Sequence, residues 1–173
     1  MGIELVPRVP CKVPNTYGGR VFRGIIPSMP TVVRQTLIVF AFTALLGSAA
    51  EKKLIHPKEF PKGRPFSPGI LTGGTLYVAG QIGQDLKTGA IPEDFEAEVR
   101  QTLDNIGLIL KEAGYSFDDV VSSSVYLTDI GLFQRMNGVY ITYFKEPRPV
   151  RTTVGVAKLV GTARIEITVI AKK

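Results

Sequence analysis

Residues 51–173 predict an α+β domain, a mixed β-sheet with two helices packed on one face, and three observations support this. Apolar runs of period two alternate with runs of period 3.6, in the order strand, helix, strand, helix, strand, strand. Apolar residues make up 45% of the 173-residue chain, and nine Phe with six Tyr are ample for a packed core. Two helices cover one sheet face and leave nothing in the chain for the other, so self-association through that face is expected.

The elements follow in order. "HPKEFPKGRPFSPGI", from His56 to Ile70, is proline-rich and reads as an irregular entry with a short strand near Ile70. "GGTLYVAGQIG" (Gly73–Gly83) alternates like a strand and runs into a turn at "DLKTGAIP". Phe95, Val99, Leu103, Ile106 and Leu110 recur every three or four residues and define one helix face. Pro92 suits its first turn, Glu93, Asp94 and Glu96 suit the dipole, and Gly114 suits the stop. "DDVVSSSVYLTDI" alternates again, with Val121, Val125 and Leu127 on one side. "GLFQRMNGVYITYF" is helical, with Leu132, Met136, Tyr140 and Phe144 every four residues. "RPVRTTVGVAKLVGTARIEITVIAKK" closes the chain as two β-branched strands around a short turn. Arg151 opens the first of these strands and Glu166 sits within the second, where an unpaired buried charge would be costly.

Composition removes several function classes. The formal charge is +6, but five of the 21 basic and one of the 15 acidic residues precede residue 51, which leaves a net of +2 for the rest. Cys11 is the one cysteine, so residues 51–173 hold no thiol for a disulfide, a nucleophile or a metal site. His56 is the one histidine, too few for an imidazole zinc site, and no metal is expected. There is no internal repeat, phosphate-binding loop or dinucleotide fingerprint.

Three segments are expected. Residues 1–28 are punctuated by Pro and Gly and read as an irregular extension or a mis-assigned start, with Met29 the better initiator. Residues 29–50 have the layout of a secretory signal peptide: Arg34, an apolar stretch from Leu37 to Leu46, then Gly47-Ser48-Ala49-Ala50. That stretch is about half the ~20 residues needed to span a bilayer, so no stable membrane anchor is expected. An exported protein is the expectation, with an apolar helix packed on a cytoplasmic domain as the alternative. Residues 51–173 form the domain.

Three stretches together, "YVAGQIGQDLKTGAIPEDFEAEVRQTLDNIGLILKEAG", "VVSSSVYLTDIGLFQRMNGVYITYF" and "RPVRTTVGVAKLVGTARIEITVIA", resemble the RidA (YjgF) family of reactive-intermediate deaminases. The likeness runs from about Pro61 to Ala171 with element lengths in step. It implies a chorismate-mutase-like fold, a homotrimer with sites between subunits, no cofactor, and hydrolysis of 2-imino acids such as 2-iminobutanoate and 2-iminopropanoate. Carried over by position, Arg151 matches the arginine that binds the substrate carboxylate, and Glu166 the carboxylate thought to handle the attacking water. Gly80 lines the site with backbone, Asn137 borders the cleft, and Thr153 stands where several members carry cysteine and contributes through its backbone. Phe66, in "RPFSPG", replaces a tyrosine of many members and removes one hydroxyl. The exported leader is a second departure, since members usually work beside the enzymes that make their imines.

The chemistry suits these residues without the name. A planar guanidinium holds a carboxylate by two parallel hydrogen bonds, and a carboxylate can take the proton of water adding to the imine carbon. The plain alternative is that Arg151 and Glu166 pair across adjacent strands at a sheet edge. Two other functions compete: a non-catalytic trimer that binds small carboxylates, and an RNA-cleaving translation inhibitor. The +2 charge and dispersed lysines of the domain disfavour nucleic acid as a partner. A holdase role would leave no sequence signature.

Overall fold

The computed structural model describes residues 51–173. Its elements are β1 (Lys53–Ile55), β2 (Gly69–Thr72), β3 (Thr75–Ile82), α1 (Phe95–Glu112), β4 (Val120–Leu127), α2 (Phe133–Tyr143), β5 (Val150–Gly155) and β6 (Ile165–Lys172). The segments 1–28 and 29–50, with Cys11, lie outside the described residues. Among the described residues no helix is long and apolar enough to cross a membrane.

The six strands form one mixed sheet in the order β1-β2-β3-β6-β4-β5, with every pair antiparallel except β4 and β5. That parallel pair needs a crossover, and α2 supplies it. The two closing strands are therefore not a hairpin around a short turn. After β5 joins the outer side of β4, residues 156–164 carry the chain back so that β6 enters the slot between β3 and β4. Burial goes with that place: Ile165, Ile167, Val169 and Ala171 are all at most 1% exposed, as a central strand covered on one face allows. β1, just ahead of the proline-rich entry, left no pattern in the sequence, since three residues are too few to alternate.

Both helices lie against one face of the sheet, as predicted. Phe95, Val99, Leu103, Ile106 and Leu110 of α1 are fully buried. Asp94, rather than Pro92, marks the start: its carboxylate accepts from the Ala97 N–H at 2.7 Å and satisfies a free amide of the first turn. Gly114 stops the helix with φ +77°, a conformation glycine adopts without a Cβ clash. On α2, Met136 and Tyr140 are buried, as is Phe144 just past its end, while Leu132 packs at the margin of the core. Val121 departs from its expected place. A bulge between Val120 and Ser122 turns Val120 inward and leaves Val121 48% exposed.

Strand register draws a line across the uncovered face. Leu54, Ile70, Tyr77, Ile170, Ser122 and Val150 stand side by side, one from each strand. Leu54, Tyr77 and Val150 are respectively 56%, 49% and 72% exposed, a large apolar load for a surface facing water.

Candidate functional site

Two clusters gather the residues singled out from the sequence. The first is an open pocket of about 440 Å³ beside the end of β3, within the size range of small-molecule sites. Phe66, Gly80 and Glu166 all line it. A bulge between Val78 and Gln81 lifts Ala79 and Gly80 out of the ladder with β6, and the Glu166 side chain lies across Gly80. A Cβ at Gly80 would stand 2.9 Å from Glu166 Cδ and closer still to its carboxylate oxygen. Glycine here makes room for the acid. Glu166 alternates with the buried Ile165 and Ile167, so it turns to the face away from the helices.

An ion pair with a buried carboxylate fixes the strand that presents Glu166. Glu98 of α1 is fully buried and accepts from the Arg164 backbone N–H at 2.7 Å and from Arg164 Nε at 2.6 Å. Arg164 Nη2 also donates to the carbonyls of Pro92 and Glu93. Gly83 has to be small for this, because a Cβ would run into the Glu98 backbone. Nearby, Asn105 of α1 donates to the carbonyls of Ile82 and Gln84 and holds the chain leaving β3.

The second cluster surrounds Arg151, on the edge strand β5. Its guanidinium carbon lies 4.6 Å from the Tyr140 ring centroid and 5.5 Å from that of Phe133. Asn137 follows Phe133 by four residues and precedes Tyr140 by three, so it shares their face of α2. Thr153 follows Arg151 on the same side of β5, and Ser123 of β4 is Arg151's partner in register. The hydroxyls of Ser123, Tyr140 and Thr153 are buried, and among the described residues none has a partner at full hydrogen-bond geometry, although Ser123 and Arg151 lie close enough to Tyr140 to act on it. Burial pushes the Tyr140 hydroxyl up, while Ser123 and the Arg151 charge pull it the other way. Buried hydroxyls left unpaired are costly unless something else meets them.

The clusters do not meet within one chain. β4 separates β5 from β6, and Arg151 is level with Ser123 whereas Glu166 is level with Tyr126. At roughly 4.8 Å per strand and 3.3 Å per residue, their backbones are about 14 Å apart. Their side chains also turn to opposite faces, since Arg151 rests on α2. The plain pairing across adjacent strands is therefore excluded, and among the described residues neither charge joins an ion pair. No group of three or more potential metal ligands occurs among the described residues.

Arg64, Glu98, Ser123 and Tyr140 were not singled out from the sequence. Tyr140 was legible only as a core position, and nothing in the spacing of Glu98 and Arg164, 66 residues apart, announces their contact. Arg64 had a signal, a cation two residues before Phe66 in "RPFSPG".

Known proteins resemble this chain over the same region. Residues 58–173 match the family model described as Endoribonuclease L-PSP. A RutC family protein of Saccharolobus solfataricus is 45% identical over 124 residues, covering 70% of this chain and 98% of its own. The 2-iminobutanoate/2-iminopropanoate deaminase of Bos taurus is 39% identical over 126 residues, 72% of this chain and 92% of its own. The crystal structure of RidA from the Antarctic bacterium Psychrobacter superposes with a TM-score of 0.67 at 34% identity, covering 70% of this chain and 99% of that one. The fold, the matched span and these identities together make the chain a member of the endoribonuclease L-PSP family, the YjgF/RidA family.

Proposed function

We propose that the protein hydrolyses small 2-imino acids to 2-keto acids and ammonia, at sites formed where Arg151 of one copy faces Glu166 of another in a homotrimer. One observation supports this above the rest: a guanidinium and a carboxylate, neither joined in an ion pair among the described residues, sit where they cannot reach each other within the chain. The apolar line across the uncovered face gives copies a reason to associate. A mammalian relative named for this deaminase activity supports the choice of reaction.

Arg151 holds the substrate carboxylate by two parallel hydrogen bonds, which fixes the imine carbon. Tyr140 and Phe133 restrict the guanidinium to one plane, and the unpaired hydroxyls of Ser123 and Thr153 lie beside it. Glu166 accepts a proton as water adds to the imine carbon, and the C=N π pair moves to nitrogen. The tetrahedral carbinolamine then takes that proton back on nitrogen. With the imine entering protonated, the C–N bond then breaks and ammonia leaves while the hydroxyl gives its proton to Glu166 and the carbonyl forms; Glu166 passes that proton to the solvent. One water enters and one ammonia departs. No redox change occurs and no covalent enzyme intermediate is needed.

The test generates 2-iminopropanoate or 2-iminobutanoate in situ with an amino-acid oxidase and follows imine loss with and without the protein. Acceleration by wild type and about a 100-fold lower kcat/KM for Arg151→Ala are expected, since truncating a charge that binds an ionic group costs about 3 kcal/mol. Equal rates for wild type and Arg151→Ala would overturn the reading. A second reading, a trimer that binds small carboxylates without turnover, rests on Phe66, which brings no hydroxyl to the pocket. Tight binding of a 2-keto acid without imine loss would favour it.

A further inference from the structure

The pocket that holds Glu166 also holds a cation, and the other nitrogen donors of its lining are already committed. The lining side chains with nitrogen donors are Arg64, Gln81, Gln84 and Asn105. Three of them are committed. Gln81 donates to the carbonyls of Ala79 and Gly80, Gln84 to that of Gly89, and Asn105 to those of Ile82 and Gln84. Arg64 is half-buried, its guanidinium carbon lies 5.7 Å from the Phe66 ring centroid, and among the described residues it has no carboxylate or carbonyl acceptor. An aromatic ring orients a guanidinium from its face and leaves the edge N–H groups free.

We propose that Arg64 makes this pocket selective for 2-imino acids that carry a second carboxylate on the side chain, an inference that rests on the deaminase reading above. Arg151 takes the carboxylate next to the imine carbon, so a second cation in the Glu166 half is free to take the far end of the substrate. Charge favours the same assignment. With Glu166 alone, the pocket carries one negative charge and repels an acidic side chain. Arg64 cancels that charge and offers two parallel donors of the geometry a carboxylate accepts. A substrate with a short apolar side chain, such as 2-iminopropanoate, leaves Arg64 unused.

The experiment compares wild type, Arg64→Gln, Arg64→Lys and Arg64→Glu on two imines made in situ, from aspartate and from alanine. The readout is the ratio of kcat/KM for the dicarboxylic imine to that for 2-iminopropanoate. Arg64→Gln should lower this ratio about 10- to 100-fold, the range for a hydrogen-bonded charge pair. Arg64→Glu should lower it further, and Arg64→Lys should retain part of it. An unchanged ratio in Arg64→Gln, or a parallel fall on both imines, overturns the inference while leaving the deaminase reading intact. A calorimetric arm measures binding of 2-oxoglutarate against 2-oxobutanoate. If wild type hydrolyses neither imine yet prefers 2-oxoglutarate through Arg64, the deaminase reading fails and the selectivity stands. No preference for 2-oxoglutarate, or a preference that survives in Arg64→Gln, overturns the selectivity. Thermal unfolding of each variant confirms folding, which Arg64 should not disturb on an irregular segment.

Discussion

The two clusters, one around Arg151 and one around Glu166, are built in different ways. Arg151 lies on aromatic rings of α2, on the side of the sheet that also holds the core. Glu166 faces the other way, across a glycine in a β-bulge, and its strand is tied down by the Glu98–Arg164 ion pair. The arginine is held by surfaces that any well-packed helix provides, whereas the glutamate depends on a bulge, a missing Cβ and one specific charge pair. Each chain therefore carries two clusters of unequal robustness. Substitutions around Glu166 should disturb its half while sparing the other.

The largest effect expected is that of Glu166→Gln, which removes the proton acceptor and should lower kcat about 10²- to 10⁴-fold with little change in binding of a 2-keto acid. Co-expressing Glu166→Gln with Arg151→Ala sharpens the comparison. If the halves belong to different copies, random mixing gives about a quarter of the sites both intact residues. Recovery to about a quarter of wild-type activity is then expected, and no recovery would mean that each site draws on a single chain.

Glu98→Ala comes next. It leaves the Arg164 N–H groups without their carboxylate and should cost about 1–3 kcal/mol of stability, read from the urea midpoint. Wild-type stability in this variant would show that the Glu166 strand is held by its neighbours in the sheet instead.

Gly80→Ala should cost little stability, because its methyl group meets only the flexible end of Glu166, which must swing aside into the pocket. Its activity should fall mainly in kcat. A fall confined to KM would mean that Gly80 serves binding rather than the placement of Glu166.

The smallest effect concerns Arg135 of α2, which pairs with Glu96 of α1 and joins the two helices on the protein surface. The hydrogen bond from Arg135 brings Glu96 down from its ordinary 4.5 to about 2. A depressed carboxylate stabilises the fold above its ordinary value and gives this up as pH falls towards the folded-state value. Wild type should therefore lose stability between about pH 4.5 and pH 2 more steeply than Glu96→Gln, as thermal unfolding across that range would show.

Much of the fold was legible because burial leaves a period in the sequence. The face of α1 and the stripe on α2 came directly from spacing, and those positions are buried save Leu132, which packs at the core's margin. The strand pairing was not legible. Nothing in "RPVRTTVGVAKLVGTARIEITVIAKK" says that β6 crosses to the middle of the sheet while β5 stays at its edge. Val121 failed for a related reason: a bulge shifts the two-residue period by one, and a pattern cannot display a shift that exists only relative to a partner strand.

The site divides along the same line. Arg151 and Glu166 stood out in the sequence because a charge inside a β-branched run conflicts with its neighbours, and the family resemblance gave each a role. By itself, the sequence determined the helix faces, the α+β class and the two charges that need an explanation. These follow from local period and local conflict. Tertiary structure alone decided that the charges turn to opposite faces, that Gly80 makes room for Glu166, that Glu98 and Arg164 pair, and that Arg64 shares a pocket with the acid. Each of these is a contact between residues far apart in the chain, set by which strands lie side by side and which side chains share a face. That information has no local signature for a sequence pattern to record.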